Sequence, residues 1–228
     1  HITMKKLLIA AFSVAAVAAN AQILYQQGDV TAGDNIGTEL GVLSNEFTDF
    51  PTSSTYCFDN ITNAVVWTVT QVWVEGITND PVAPVGMFHL RFSQNANFTT
   101  PGNIGLNFST ANAGTLAGDK DLIFDLGAGI ALAPGTWWVS AWVVTSFGTS
   151  GQWNWKTTET INPPEAIAHN PGGGALGTTE PINLSQAPGI PGPRDLVFRI
   201  SGTAVPEPGT FIAIGIGLAG LAIARRRK

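Results

Sequence analysis

Apolar residues between positions 22 and 204 recur mostly at every second place, the period of a strand, and no long helical stripe interrupts them. In residues 65–74, Val65, Trp67, Val69 and Trp73 fall on one face and Val66, Thr68, Thr70, Val72 and Val74 on the other. Both faces carry apolar groups, which suits a central strand. Residues 86–92 alternate more cleanly, with Phe88, Leu90 and Phe92 inward and Met87, His89 and Arg91 outward, the pattern of a half-buried strand. Further strands are predicted at 104–108, through Ile104, Leu106 and Phe108, and at 121–126, through Leu122, Phe124 and Leu126. Residues 136–145 form the most apolar stretch, entered through a turn at Pro134 and Gly135, and at 195–201 Leu196, Phe198 and Ile200 alternate with Val197 and Arg199. Joined by Gly, Pro and Asn turns, these segments predict an all-β fold, an antiparallel two-sheet β-sandwich that is jelly-roll-like.

Two regions do not follow the alternation. Residues 26–55 are polar and acidic, with Phe47 and Phe50 as the anchors expected to dock them on a sheet. Residues 161–193 are dominated by Pro and Gly, and a connection that long is either a folded functional loop or a mobile arm.

The two ends obey different rules. His1, Ile2 and Thr3 precede the first methionine and read as an expression remnant or a mis-set start. From Met4 the order is cationic (Lys5, Lys6), apolar over 7–19, then small at Ala19, Asn20 and Ala21, which predicts a secretory signal peptide cut by signal peptidase before Gln22. At the other end Val205, Pro206, Glu207 and Pro208 lead into an apolar stretch over 209–224 and then Arg225, Arg226, Arg227 and Lys228. As a helix that stretch spans on the order of 24 Å, enough to cross a bilayer with its arginines snorkelling. The cations hold its end in the cytoplasm and leave the preceding domain outside. The expected organisation is thus a signal helix over 1–21, a β-sandwich domain over 22–204, and a sorting tail with a transmembrane helix over 205–228.

Removing the ends changes the charge. Six of the 11 Lys and Arg lie in them, which leaves Arg91, Lys120, Lys156, Arg194 and Arg199 against 15 acids, roughly ten net negative charges. Such a domain lacks the cationic surface that nucleic acid requires. Cys57 is the only cysteine, so no intramolecular disulfide forms, and beside Tyr56 and Phe58 it reads as a buried hydrophobe. Stability has to come from a core, which roughly 180 residues can supply.

The C-terminal order of Pro-Glu-Pro, Gly-rich apolar helix and Arg cluster resembles the PEP-CTERM sorting signal of Gram-negative bacteria. The resemblance implies an inner-membrane-anchored precursor, cleavage by an exosortase near Pro206, Glu207 and Pro208, and delivery to the cell surface or the extracellular matrix. It also implies association with extracellular polysaccharide or biofilm. The body is similar to secreted bacterial β-sandwich domains of unassigned function. That likeness rests on Phe58 and Asp59, Trp67 to Gly76, Pro134 to Ser140, Gly151 to Trp155, and Asp195 to Gly202.

Little in the domain points to catalysis. A hydrolase triad needs a histidine beside a serine and a carboxylate, and only His89 and His169 remain after processing. Neither a Gly-x-Ser-x-Gly elbow nor a His-Glu-x-x-His motif occurs, although a carboxylate pair can be assembled by folding alone. Trp153 and Trp155, two apart, share one strand face and can stack on sugar rings, with Gln152, Asn154 or Lys156 bonding at the edge. The same spacing serves two core rings, and a core or rim place is the preferred reading for Trp153 and Trp155, as core packing is for Trp137, Trp138 and Trp142. Asp119, Asp121 and Asp125, and separately Asp29, Asp34 and Asn35, are the groups that calcium could use, but neither has the full loop pattern and solvated turn carboxylates compete. No other cofactor is expected. The leading expectation is a non-enzymatic surface or matrix protein, followed by a carbohydrate-binding module and a secreted hydrolase.

Overall fold

The computed structural model describes residues 21–28, 40–77, 87–94, 114–117 and 121–205. The signal segment through Asn20, the strand expected at 104–108, Asp29, Asp34, Asn35, Asp119 and Lys120, and the tail from Pro206 lie outside the described residues. Within them the chain is all-β and sandwich-like, built from three mainly antiparallel arrays.

The first array orders β1 (Gln22–Gln27), β15 (Phe198–Val205), β5 (Val66–Val74), β9 (Asp121–Leu132) and β8 (Gly114–Ala117), each neighbour antiparallel. The second orders β13 (Ile182–Asn183), β12 (Ile167–His169), β4 (Tyr56–Asn63) and β10 (Gly135–Thr145). β10 is the hub of this array. Its first half pairs with β4, its end with β3 (Asn45–Phe47) in parallel, and its other edge with β7 (Met87–Ser93). The third and smallest array sets β11 (Asn154–Thr158) between β2 (Gly41–Leu43) on one side and β6 (Gly76–Ile77) and β14 (Asp195–Leu196) on the other.

One core joins all three. Val69, Val72, Phe124, Leu132 and Phe198 enter it from the first array, Ile61, Leu90, Phe92 and Val139 from the second, and Trp153, Trp155 and Leu196 from the third. All twelve are buried, and each full burial of a large aliphatic or aromatic side chain is worth about 1.5–3 kcal/mol. Cys57 lies in the same core, and its thiol is pushed up by burial, so it is the inert hydrophobe expected.

The strand at 65–74 departs from its expected alternation. β5 buries Trp67 and Val69 and then Val72 and Val74, while Trp73 points out. A β-bulge causes the switch, because the register with both β15 and β9 slips between Val69 and Gln71 and the extra residue inverts the parity. On β10 the alternation holds and both faces are covered. Trp137, Val139, Ala141 and Val143 face the main core, whereas Trp138 and Trp142 join Tyr56 and Phe58 in a second cluster on the outer side. There the Trp142 ring lies 4.9 Å from His89, stacked at 8°, with the Arg91 guanidinium 5.0 Å from its centroid and its Nε1 donating to Glu46 at 3.2 Å.

Phe47 docks the polar 26–55 segment as expected, being 2 % exposed, but Phe50 does not, at 54 %. The Pro/Gly-rich stretch over 161–193 is a folded loop. Asn170 is its peg: fully buried, its Nδ2 donates to the Thr52 and Ser54 carbonyls at 2.9 and 2.7 Å, and its Oδ1 accepts from Ala175 and Leu176 N–H at 2.8 and 3.2 Å. Gly172 rides directly on the Thr52 backbone, where any Cβ would overlap it.

Candidate functional site

β11 decides which of its residues can meet a ligand. Trp153 and Trp155 are fully buried, their ring centroids 6.5 Å apart, and the Trp155 indole donates to the Val197 carbonyl at 2.9 Å. The core reading of these two rings therefore holds, and the alternative of a sugar platform on them is corrected. They do share a face, but β11 lies between β2 and β6 with that face turned to the core. Lys156 is equally unavailable at the edge, buried and paired with Glu75 at 2.5 Å.

The alternate residues, Gln152 and Asn154, turn the other way and line a cleft of about 560 Å³. Four further pieces of chain complete it. β2 supplies Val42 and Leu43, and Phe47, Phe50 and Ser53 come from the segment that follows. Phe147 heads the one-turn helix α1 (Phe147–Ser150), and the 161–193 loop closes the far wall with Leu176, Pro188 and Ile190. Local contacts set each group. Asn45, fully buried, clamps the Trp153 backbone by donating to its carbonyl and accepting its N–H at 3.3 Å, which fixes the neighbours Gln152 and Asn154. Gly41 passes so near that a Cβ on it would come within 2.8 Å of the Asn154 Cβ.

Asp49 holds α1 in place by accepting from Phe147 N–H at 2.8 Å, Gly148 N–H at 3.0 Å and the Ser146 hydroxyl at 2.9 Å. The Gly148 N–H leads the groups that bring its carboxyl down to about 2. Phe147 thus stands edge-on to Phe47 at 5.6 Å and to Phe50 at 5.8 Å, with Phe50 and Phe147 both exposed. Among the described residues, no charged side chain lines the cleft. The Ser53 hydroxyl and the Gln152 and Asn154 amides make no side-chain hydrogen bond among the described residues.

Asp121 and Asp125, the described members of the expected calcium group, do not come together. Asp121 is buried and occupied, accepting from the Trp73 indole at 2.9 Å and from Gly76 N–H at 3.0 Å. Asp125 accepts from Gly127 N–H at 3.3 Å four residues further along the same extended strand, about 13 Å away at 3.3 Å per residue. Among the described residues no three His, Cys, Asp or Glu side chains converge on a metal position. The two histidines lie apart from the cleft. His89 stacks on Trp142, and buried His169 donates from Nε2 to the Thr179 carbonyl at 3.1 Å.

Folding does bring two carboxylates together, and no motif foretold them. Asp59 and Asp195 are fully buried. Asp59 accepts from Asn60 and Leu196 N–H, both at 2.7 Å. Asp195 accepts from Ala166 N–H at 2.9 Å, Asn162 N–H at 2.5 Å and the Gln27 amide at 3.3 Å. Burial raises both, and the Asp195 charge raises Asp59 further. Backbone N–H groups thus supply all of these bonds but the one from Gln27, and neither residue lines the cleft. The only signal in the sequence is one acid at the head of each of two segments, Asp59 after Phe58 and Asp195 before Leu196.

Among known proteins, the chain matches the PEP-CTERM protein-sorting motif over residues 204–228. No curated protein and no solved structure matches it.

Proposed function

We propose that this PEP-CTERM sorting-signal protein is a non-enzymatic component of the cell surface or extracellular matrix of a Gram-negative bacterium, with the β-sandwich as the delivered part. The motif marks the chain for export and exosortase sorting through a membrane-anchored precursor. The observation that carries the finer reading is how address and body join. β15 stays paired with β5 as far as Val205, opposite Val66, and the matched motif begins at residue 204, so the sorting signal is attached to the sandwich without a spacer. Cleavage near Pro206, Glu207 and Pro208 releases the whole sandwich.

A binding role is favoured over hydrolysis because the histidines stand away from the cleft and the buried carboxylates Asp59 and Asp195 are hydrogen-bonded in the interior and line no part of it. Fractionation of the native host is the test. The chain is expected in membrane and surface fractions, and replacing Pro206, Glu207 and Pro208 by alanine is expected to trap the longer precursor in the membrane. Recovery in the cytoplasm ends the reading, and ester or glycoside hydrolysis lost on His89→Ala or His169→Ala replaces it with the hydrolase.

A further inference from the structure

We infer that the cleft between β2, α1 and the 161–193 loop binds a neutral oligosaccharide, with Phe50 and Phe147 as the stacking surface and Ser53, Gln152 and Asn154 as the hydrogen-bonding set. The inference deepens the proposed surface role and rests on it only for where the ligand would be met. Its volume of about 560 Å³ falls inside the roughly 300–1,000 Å³ span of small-molecule sites.

Three features select the ligand class. First, two large aromatic side chains at the opening are about half exposed, at 54 % for Phe50 and 44 % for Phe147, although the core beside them buries comparable rings completely. An aromatic face in water is suited to the C–H face of a pyranose, which is apolar above and below the ring and polar around it. Second, the polar groups are all neutral and of two-way type. A hydroxyl and two amides both donate and accept, which matches sugar hydroxyls, whereas an anion would call for cations or clustered N–H donors. Third, the described lining contains no charged residue although the surrounding domain is acidic, so a uronate or phosphate-bearing glycan is repelled at long range and finds no cation among these residues.

The floor is also rigid, which favours recognition over accommodation. Asn45 fixes the backbone beneath Gln152 and Asn154, Asp49 fixes α1 beneath Phe147, and Asn170 fixes the loop that carries Leu176. Pre-set groups lose little freedom on binding.

The test uses the exported chain, purified from the envelope in mild detergent, and titrates neutral hexose oligomers of differing linkage, an oligogalacturonate and a phenylalanine-containing neutral peptide by calorimetry. Saturable binding of a neutral oligosaccharide is expected, weakened roughly tenfold by Phe147→Ala and several-fold by Asn154→Ala. Both variants should keep the wild-type melting temperature within a few degrees, and Gln152→Ala, at an exposed position, supplies a third reading free of folding effects. Tighter binding of the oligogalacturonate, preferential binding of the peptide, or no neutral sugar bound across the panel overturns the inference. Sugar binding that all three variants leave unchanged also overturns it, because the ligand then sits elsewhere. Surface localisation without sugar binding removes this inference and leaves the surface role standing, whereas cytoplasmic recovery with sugar binding does the reverse.

Discussion

Asn170→Ala removes the peg that fastens the 161–193 loop to the sandwich, and its cost can be worked from the groups left behind. Four hydrogen bonds go: two donated to the Thr52 and Ser54 carbonyls and two accepted from Ala175 and Leu176 N–H. The Thr52 carbonyl keeps a partner, because Gly174 N–H also donates to it at 2.9 Å. Ser54 is buried, so its carbonyl bears the larger penalty, while Ala175 and Leu176 are half-buried and water recovers part of theirs. Four bonds at about 0.5–1.5 kcal/mol each give roughly 2–6 kcal/mol, and these compensations keep the loss in the lower part of that range, about 2–4 kcal/mol. For a domain of this size that corresponds to a fall in Tm on the order of 5–15 °C. The loop can detach without global unfolding, so hydrogen exchange is the sharper assay, and faster exchange should be concentrated at the Ala175 and Leu176 amides. Asn170→Asp should be no better, since the carboxylate keeps the acceptors but sets negative charge against two carbonyls. Unchanged Tm together with unchanged exchange at those amides would refute the claim that Asn170 fastens the loop.

Three other outcomes follow from the interior. The raised carboxyl of Asp59 holds its proton in the folded chain above the ordinary carboxylate range, so the folded state binds more protons than the unfolded one, and this group's contribution falls as pH rises from about 4 through its folded pKa. Asp59→Asn should flatten that decline in urea unfolding measured across pH, and wild-type stability that climbs steadily over the same interval would contradict the assignment. Lys156→Met takes the ammonium from buried Glu75 and should cost about 3–5 kcal/mol, most of it recovered when Glu75→Gln is added; equal losses in the single and double variants would show that the pair is not coupled. Trp155→Ala should cost about 3–5 kcal/mol in chemical denaturation, and a loss under 1 kcal/mol would mean that the ring is not a core group.

How far the sequence could be read depends on whether a feature is local. Alternation identified β7, β9, β10 and β15 in kind, because a pleated strand imposes its period on its own residues. It failed inside β5 at Thr70, where the bulge is imposed by pairing with β9 and β15, strands far away in sequence, and nothing in the local run Val69, Thr70, Gln71 announces it. The site shows the same division more sharply. Spacing placed Trp153 and Trp155 on one face, and that statement holds, whereas Gln152 and Asn154, expected at the edge of the same platform, line the cleft instead. Which face meets solvent was decided by β2 and β6 flanking β11 and by the core beneath it, so the rings went inside and the amides were left to the cleft. Phe50 and Phe147 could not be paired from sequence at all. Nearly a hundred residues separate them, and their meeting depends on Asp49 reaching across to the N–H groups of Phe147 and Gly148. A short polar residue beside one aromatic thus positions another, and it leaves no periodic trace because the contact is made once. The binding hypothesis therefore survives in changed form: the sugar-edge residues named from the sequence remain candidates, while the stacking role passes from two tryptophans to two phenylalanines that no spacing rule connects.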